Sequence, residues 1–202
     1  MADMVPNLPS GNPRVRITEL QVLSDNWYTL RKAIFDYSDS RGQWSRQERE
    51  AYDRGNGATV LLIDRERSTV LLTRQFRVPA YLNGHPDGML VEAPAGLLDE
   101  DDAATAIRRE AEEETGVRLA EAHPIFELFM SPGSVTERVA FFWAEYRPDD
   151  LLSDGGGLAE DGEDIEVIEL PLDKALAMVG TGEICDGKTV LLLQWAQLHM
   201  SP

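Results

Sequence analysis

Four glutamates, Glu110, Glu112, Glu113 and Glu114, fall within about one helical turn in the run Arg-Glu-Ala-Glu-Glu-Glu-Thr-Gly at 109–116. Gly116 is a helix stop signal. The carboxylates therefore gather at the carbonyl-rich end of a helix, where anions are disfavoured. Glu110 and Glu114 are four residues apart on one face, and like charges at that spacing weaken a helix. A divalent cation offsets this most simply, because hard ions such as Mg²⁺ select carboxylate oxygens and bridge them to substrate phosphates. The chemistry implied is metal-assisted attack on a phosphate: the ion offsets negative charge, orients the phosphate and lowers the pKa of a bound water. Glu110 and Glu114 can share one ion, with Glu113 beside them, and Ala95, just before Gly96, can offer its carbonyl oxygen. Arg109 can hold a carboxylate through a bidentate pair. The plainer alternative is a solvated acidic helix end with Arg108 and Arg109 in surface pairs. The Arg-Glu lead-in, the Thr-Gly stop and the Gly-containing entry loop favour a site.

The chain has 202 residues, 43% of them hydrophobic, which suits one compact domain or one domain with a sizeable extra subdomain. Its net charge of −17 argues against non-specific binding to nucleic acid or acidic membranes. An acidic protein that handles an anionic ligand needs local basic residues or bound cations, so the charge agrees with a metal-assisted site. The single cysteine, Cys185, allows neither an intramolecular disulfide nor a cysteine metal cluster. The N-terminus does not read as a signal peptide. The longest apolar stretches, such as Thr189–Leu193, are too short to span a bilayer. A cytoplasmic, reducing setting is the expectation.

The elements that must position the glutamates follow from pattern. Residues 1–13 read as a loose, Pro-containing arm. Strands are expected from Val15 to about Phe35, with a hairpin tip at Ser38–Gly42. Residues 46–54 read as a further strand whose charge also permits a helix, and Gly55-Asn56-Gly57 as a turn. Two apolar strands occupy 58–64 and 69–77, followed by a loop of about a dozen residues and a short strand at Met89–Ala93. The helix runs from Asp101 or Asp102 to Thr115, acidic at its start and stopped by Gly116. Strands follow at Phe126–Met130 and Val139–Tyr146, a flexible acidic loop at Gly155–Gly162, and a strand at Ile165–Leu170. Helices occupy Leu172–Val179 and Lys188–Met200. This order fits an α+β fold or α/β/α sandwich better than an alternating parallel sheet. Residues 1–57 form a separate antiparallel β subdomain, too small and polar to stand alone and so expected to pack on another subunit; residues 58–202 form the main domain.

The segment from Gly96 to Val117 resembles the Nudix box, a loop–helix–loop ending in Arg-Glu, an apolar residue, any residue, Glu-Glu, any residue, Gly and an apolar residue. Arg109, Glu110, Ala111, Glu113, Glu114, Gly116 and Val117 fit in order. The front half departs: the interval from Gly96 to Arg109 is one residue short, and Asp101 or Asp102 replaces an earlier glutamate, which leaves that position the role of helix cap. The resemblance extends to Leu23–Leu30, Tyr52–Thr59, Arg74–Arg77, Phe126–Gly133, Glu163–Val167 and Asp186–Leu193, and is to the GDP-mannose pyrophosphatase branch, close to the ADP-ribose pyrophosphatases.

That resemblance implies a Nudix α/β/α sandwich and a homodimer whose N-terminal strands swap onto the partner. It implies Mg²⁺-dependent cleavage of GDP-mannose to GMP and mannose 1-phosphate, with Mn²⁺ as a possible substitute. The alternative substrate is ADP-ribose, and a non-catalytic nucleotide-binding module is a further alternative. Carried over by position, the metal ligands are the Ala95 carbonyl, Glu110, Glu114 and Glu163. The substrate contacts are Trp27 (reaching across the dimer), Arg49, Glu50, Arg77, Ala95, Gly96, Leu97, Glu137 and Lys188. Trp27 can stack on a purine, and the fork of Arg77 suits a phosphate. Glu48 stands where the family carries a basic residue. The catalytic base is left open between Glu163, on a loop able to close over substrate, and Glu113. His85, His123 and His199 receive no role.

Overall fold

The computed structural model describes residues 11–98, 101–158 and 162–200. The arm at 1–10 and the middle of the acidic loop, 159–161, lie outside the described residues. The chain divides into two compact units, Met1–Gly55 with Ser131–Glu137, and Asn56–Met130 with Arg138–Pro202.

The first unit is a three-stranded antiparallel sheet, β1 (Val15–Asp25), β2 (Thr29–Ser38) and β3 (Trp44–Asp53), in that order. Its second turn is built by Asp39, whose Oδ1 accepts from the N–H groups of Arg41 and Gln43 at 2.8 and 2.9 Å. β3 pairs with β2 from Trp44 to Asp53, so the helical option for 46–54 is excluded. Ladder pairing overrides a charged sequence that offers a helix no apolar stripe. Residues 131–137 join this unit through the backbone: Tyr52 N–H donates to Ser134 O at 2.8 Å, and Thr136 N–H to Tyr52 O at 3.1 Å. Ile34 and Ser38 are the buried residues of the three strands, whereas Ile17, Val22, Leu23 and Trp44 are exposed.

The second unit is a mixed sheet between helices. β4 (Gly57–Asp64) lies at its centre, parallel to β9 (Arg138–Glu145) and antiparallel to β5 (Thr69–Phe76) and β7 (Ala95–Leu97). β6 (Met89–Glu92) pairs antiparallel with the second half of β5, β8 (His123–Phe129) borders β9, and β10 (Glu166–Pro171) borders β5. The period-2 alternation of a strand sends Leu61, Ile63, Val70, Leu72 and Phe141 to one face. There they pack with Leu192, Leu193 and Ala196 of α4 (Gly187–Met200) and Ala175 of α3 (Leu172–Thr181). Val60, Leu62, Leu71 and Phe142 face the other way, against Ile107 and Ala111 of α2 (Ala103–Thr115). Two apolar faces each covered by helix make the α/β/α sandwich, and they explain why every residue of β4 is buried.

Two local readings are corrected. The segment after β5 is not all loop: Val78–Leu82 forms a helical turn, α1, with a proline in its first turn, where the missing N–H costs nothing. The Pro94-Ala95-Gly96 stretch leads into β7, whose three residues pair with Gly57, Ala58 and Thr59. Their strand character comes from β4 rather than from their own sequence.

Candidate active site

A divergence in the sheet prepares the site. β4 pairs with β5 only over Leu62–Asp64, while its first three residues pair with β7 instead. Beyond Leu72, β5 takes β6 as its partner. The chain from Glu92 to Ala95 crosses this gap, and two buried threonines satisfy its carbonyls. Thr59 Oγ1 donates to Pro94 O at 3.0 Å and Thr73 Oγ1 to Glu92 O at 3.3 Å.

α2 brings the glutamates to this crossing. Asp102 caps it, accepting from the N–H groups of Ala104 and Thr105 at 3.1 Å each, and Gly116 ends it in the left-handed conformation (φ 75°). Ile107, Ala111 and Glu114 lie on the buried stripe, so this stripe carries one carboxylate into the interior. Glu114 is 3% exposed, and Ala95 N–H donates to its Oε2 at 3.3 Å. Glu110, one turn earlier, lies against the backbone of Gly96; a β-carbon there would sit 2.2 Å from Glu110 Cδ. Glu112 leaves the group and pairs at the surface with Arg118, at 2.9 and 3.1 Å.

The last carbonyls of α2 are taken up by the loop that carries Glu163. Gly156 N–H donates to Glu114 O at 2.9 Å and Gly157 N–H to Glu113 O at 3.1 Å. Gly155, Gly156 and Gly157 all have positive φ (67°, 114° and 77°), a conformation natural to glycine. At the far end of the loop Glu163 Oε2 accepts from Leu158 N–H at 2.8 Å. A β-carbon on Gly157 would meet that same oxygen at 2.5 Å. The helix end thus fixes the start of the loop, and the loop fixes Glu163.

The carboxylates repel one another. Burial together with the charges of Glu110 and Glu163 pushes Glu114 up to about 8, against the opposing pull of Arg77 and the Ala95 N–H. Burial and the charges of Glu113 and Glu163 also raise Glu110, with Arg109 opposing. Arg109 reaches toward Glu110 at 3.6 Å and Glu113 at 3.9 Å, and bonds Asp101 at 3.0 Å. Further positive charge comes from a polar cluster around the buried Glu92. Arg77 grips Glu92 with Nε and Nη2 at 2.8 and 2.9 Å. Lys188, at the start of α4, reaches Glu92 at 3.5 Å and Asp186 at 2.8 Å.

A divalent cation fits this donor set. Glu110 and Glu114 lie by the Ala95–Gly96 backbone and Glu163 acts on both through its charge; all three are hard oxygen donors, and added positive charge would relieve their repulsion. Among the described residues no three acidic, histidine or cysteine side chains are already closed into a ligand shell. The second unit brings Ala95, Gly96, Glu110, Glu113, Glu114, Glu163, Arg77 and Lys188 into contacts or within each other's electrostatic reach; Leu97 continues β7. Trp27, Arg49, Glu50 and Glu137 belong to the first unit. There Trp27 is 82% exposed, Arg49 and Glu50 lie on β3, and Glu137 pairs with Arg54 at 3.5 Å. Glu92 and Asp186 were not singled out from sequence. The available signal was a glutamate inside the apolar run Met-Leu-Val-Glu-Ala, which a buried partner has to explain.

Gly96 offers a direct test of the geometry. Its backbone does not need positive φ, so Gly96→Ala leaves the chain conformation accessible and drives its methyl group into Glu110. The expected result is a folded protein, by circular dichroism and thermal melt, whose turnover falls by about tenfold or more.

Comparison with known proteins gives two family matches. The model described as NUDIX domain covers residues 53–193, and that described as GDP-mannose pyrophosphatase NudK N-terminal domain covers residues 14–52. A GDP-mannose pyrophosphatase of Yersinia pestis (strain Pestoides F) is 51% identical over 189 residues, 94% of each chain. One of Salmonella arizonae is 55% identical over 181 residues, covering 90% of this chain and 93% of its own. One of Yersinia enterocolitica is 53% identical over 179 residues, covering 89% of this chain and 93% of its own.

Proposed function

We propose that this chain, which belongs to the Nudix family, hydrolyses the diphosphate bridge of GDP-mannose to give GMP and mannose 1-phosphate. The observation that carries the reading is the placement of Glu110 and Glu114 against the Ala95–Gly96 backbone, with Arg77 close enough to act on Glu114. Mg²⁺ is the proposed ion, held by Glu110, Glu114, Glu163 and the Ala95 carbonyl, with Mn²⁺ able to replace it. When bound, the ion offsets phosphate charge and makes water a better nucleophile at neutral pH.

The residues of the chain do the rest. Arg77 and Lys188 hold the diphosphate, and the backbone of Gly96 and Leu97 lets it approach closely. Glu163 is the proposed base that takes the proton from the attacking water, with Glu113 as its alternative. The Gly-rich loop that carries Glu163 limits access of bulk water. Residues 1–57 and 58–202 act as dimerisation and catalytic domains. In the homodimer, Ile17, Val22, Leu23 and Trp44 are the apolar surface a partner would cover. Trp27, Arg49, Glu50 and Glu137 are the contacts proposed for base and sugar. No helix of the described residues is long and apolar enough to cross a membrane, and the proposed setting is the cytoplasm.

The test is turnover of a panel of nucleoside diphosphate sugars with Mg²⁺, with products identified by mass. GDP-mannose is expected to give the highest kcat/KM, with GMP and mannose 1-phosphate as products. Preference for ADP-ribose would assign the other branch, and no turnover of any member would leave a binding module.

A further inference from the structure

Glu92 is 2% exposed, yet it lies at the end of a strand among the residues that cross the gap between β5 and β4. A carboxylate so far from water must be paired, and here two cations from distant parts of the chain share it. Arg77, just after β5, uses Nε and Nη2. Lys188, on the first turn of α4, approaches the same Oε2 that receives Nη2. A second carboxylate, Asp186, bonds Lys188 on its other side and caps α4 through Thr189 N–H at 3.0 Å. Thr189 Oγ1 in turn receives Ala93 N–H at 2.7 Å, tying α4 to the residue that follows Glu92.

Arg77 and Lys188 repel each other, and Glu92 is the anion that bonds both. The bidentate grip also fixes the plane of the guanidinium. It occupies the Nε–Nη2 edge and turns Nη1 away from Glu92. Arg77 also brings its positive charge to bear on Glu114 of the acidic group.

We propose that Glu92 is a positioning residue, a buried bridge that locks Arg77 and Lys188 into a single two-cation clamp for the diphosphate of the substrate. This rests on the reading of Arg77 and Lys188 as diphosphate contacts. Glu92 itself touches no substrate; it acts through the two cations. Without the bridge, Arg77 would meet a phosphate with its long side chain free to wander, and Lys188 would be held by Asp186 alone. Bridged, they meet it preorganised, and the ordering cost is met at folding rather than at binding.

The experiment uses the full-length protein with Glu92→Gln, Glu92→Asp and the same changes in an Arg77→Ala/Lys188→Ala background. Steady-state kinetics with GDP-mannose are read beside calorimetric binding of the non-hydrolysable methylenediphosphonate with Mg²⁺. Glu92→Gln keeps the shape but removes the charge and turns a donor toward the guanidinium. KM and the diphosphonate Kd are expected to rise by about tenfold or more, with a smaller change in kcat. Glu92→Asp, which keeps the charge, restores part of that loss. In the double-alanine background Glu92→Gln adds no further change, since there is no clamp left to position.

A Glu92→Gln protein with wild-type KM and wild-type diphosphonate affinity, altered only in melting temperature, would show Glu92 to be a core ion pair and overturn the proposal. So would an undiminished rise in KM in the double-alanine background. If Glu92→Gln does not fold, Glu92→Asp decides by the same readings, because an Asp variant that folds and binds as wild type removes the need for a bridge spanning both cations. Wild-type protein that binds the diphosphonate but leaves GDP-mannose intact would fail the substrate assignment alone, and the binding arm would still decide on Glu92. Wild-type protein that does neither would overturn both.

Discussion

Replacing Glu114 by glutamine is expected to lower kcat by about two orders of magnitude or more, the scale seen when an electrostatic stabiliser of the transition state is lost, while the metal-free protein becomes no less stable. The two halves of this expectation have one cause. Glu114 lies on the buried stripe of α2, and its carboxyl is pushed up to about 8 by burial and by Glu110 and Glu163. Its charge therefore works against the fold, and an amide of the same size removes that penalty. The same charge is what a cation beneath a diphosphate needs. Glu110→Gln follows the same logic with the smaller gain in stability that its partial exposure implies. The measurement is kcat for GDP-mannose beside a thermal melt without metal. Near-wild-type turnover in either variant would refute the metal assignment. A large loss of stability in Glu114→Gln would contradict the account of the carboxylate as a strained group.

Removal of divalent cations is the second large effect. With a chelator in excess, turnover of GDP-mannose is expected to fall to the uncatalysed background, and added Mg²⁺ to restore it. Binding restricted to the folded state also stabilises it, by about 2.7 kcal/mol at a hundredfold excess over Kd. Melting temperature should thus climb with Mg²⁺ concentration in the wild type and climb much less in Glu110→Gln. Full activity in chelator, or a melting temperature indifferent to Mg²⁺, would count against the site as described. The two experiments are linked: the ion should stabilise most where carboxylate repulsion is greatest.

The parts of the fold that were legible in the sequence are those with their own local signals. α2 has a capping aspartate, an apolar stripe and a glycine stop, and its bounds follow within a residue or two. β4 is an apolar run broken between Gly57 and Asp64 by Thr59 alone, as suits a strand buried on both faces. The Nudix assignment rested on the same helix, and the family match over residues 53–193 supports it. β7 was illegible because three residues centred on a glycine become a strand only when β4 offers its edge. α1 was hidden by the habit of reading proline as a loop. Glu92 was missed for a different reason: burial of a charged residue is a property of its partners, and Arg77 and Lys188 are 15 and 96 residues away along the chain. Trp27, Arg49, Glu50 and Glu137 came from the resemblance alone, since nothing in their local sequence separates them from ordinary surface residues.

The parallel pairing of β4 with β9 sets an order of events for the nascent chain. Gly57 is in register with Val139 and Ile63 with Glu145, so this ladder closes a long loop that holds β5, β6, β7 and α2. Pairings of such sequence separation form slowly, because the entropy of loop closure must be overcome before the contacts repay it. Until then β4, apolar from Val60 to Ile63, has no partner on that side, and such stretches are those through which folding intermediates aggregate.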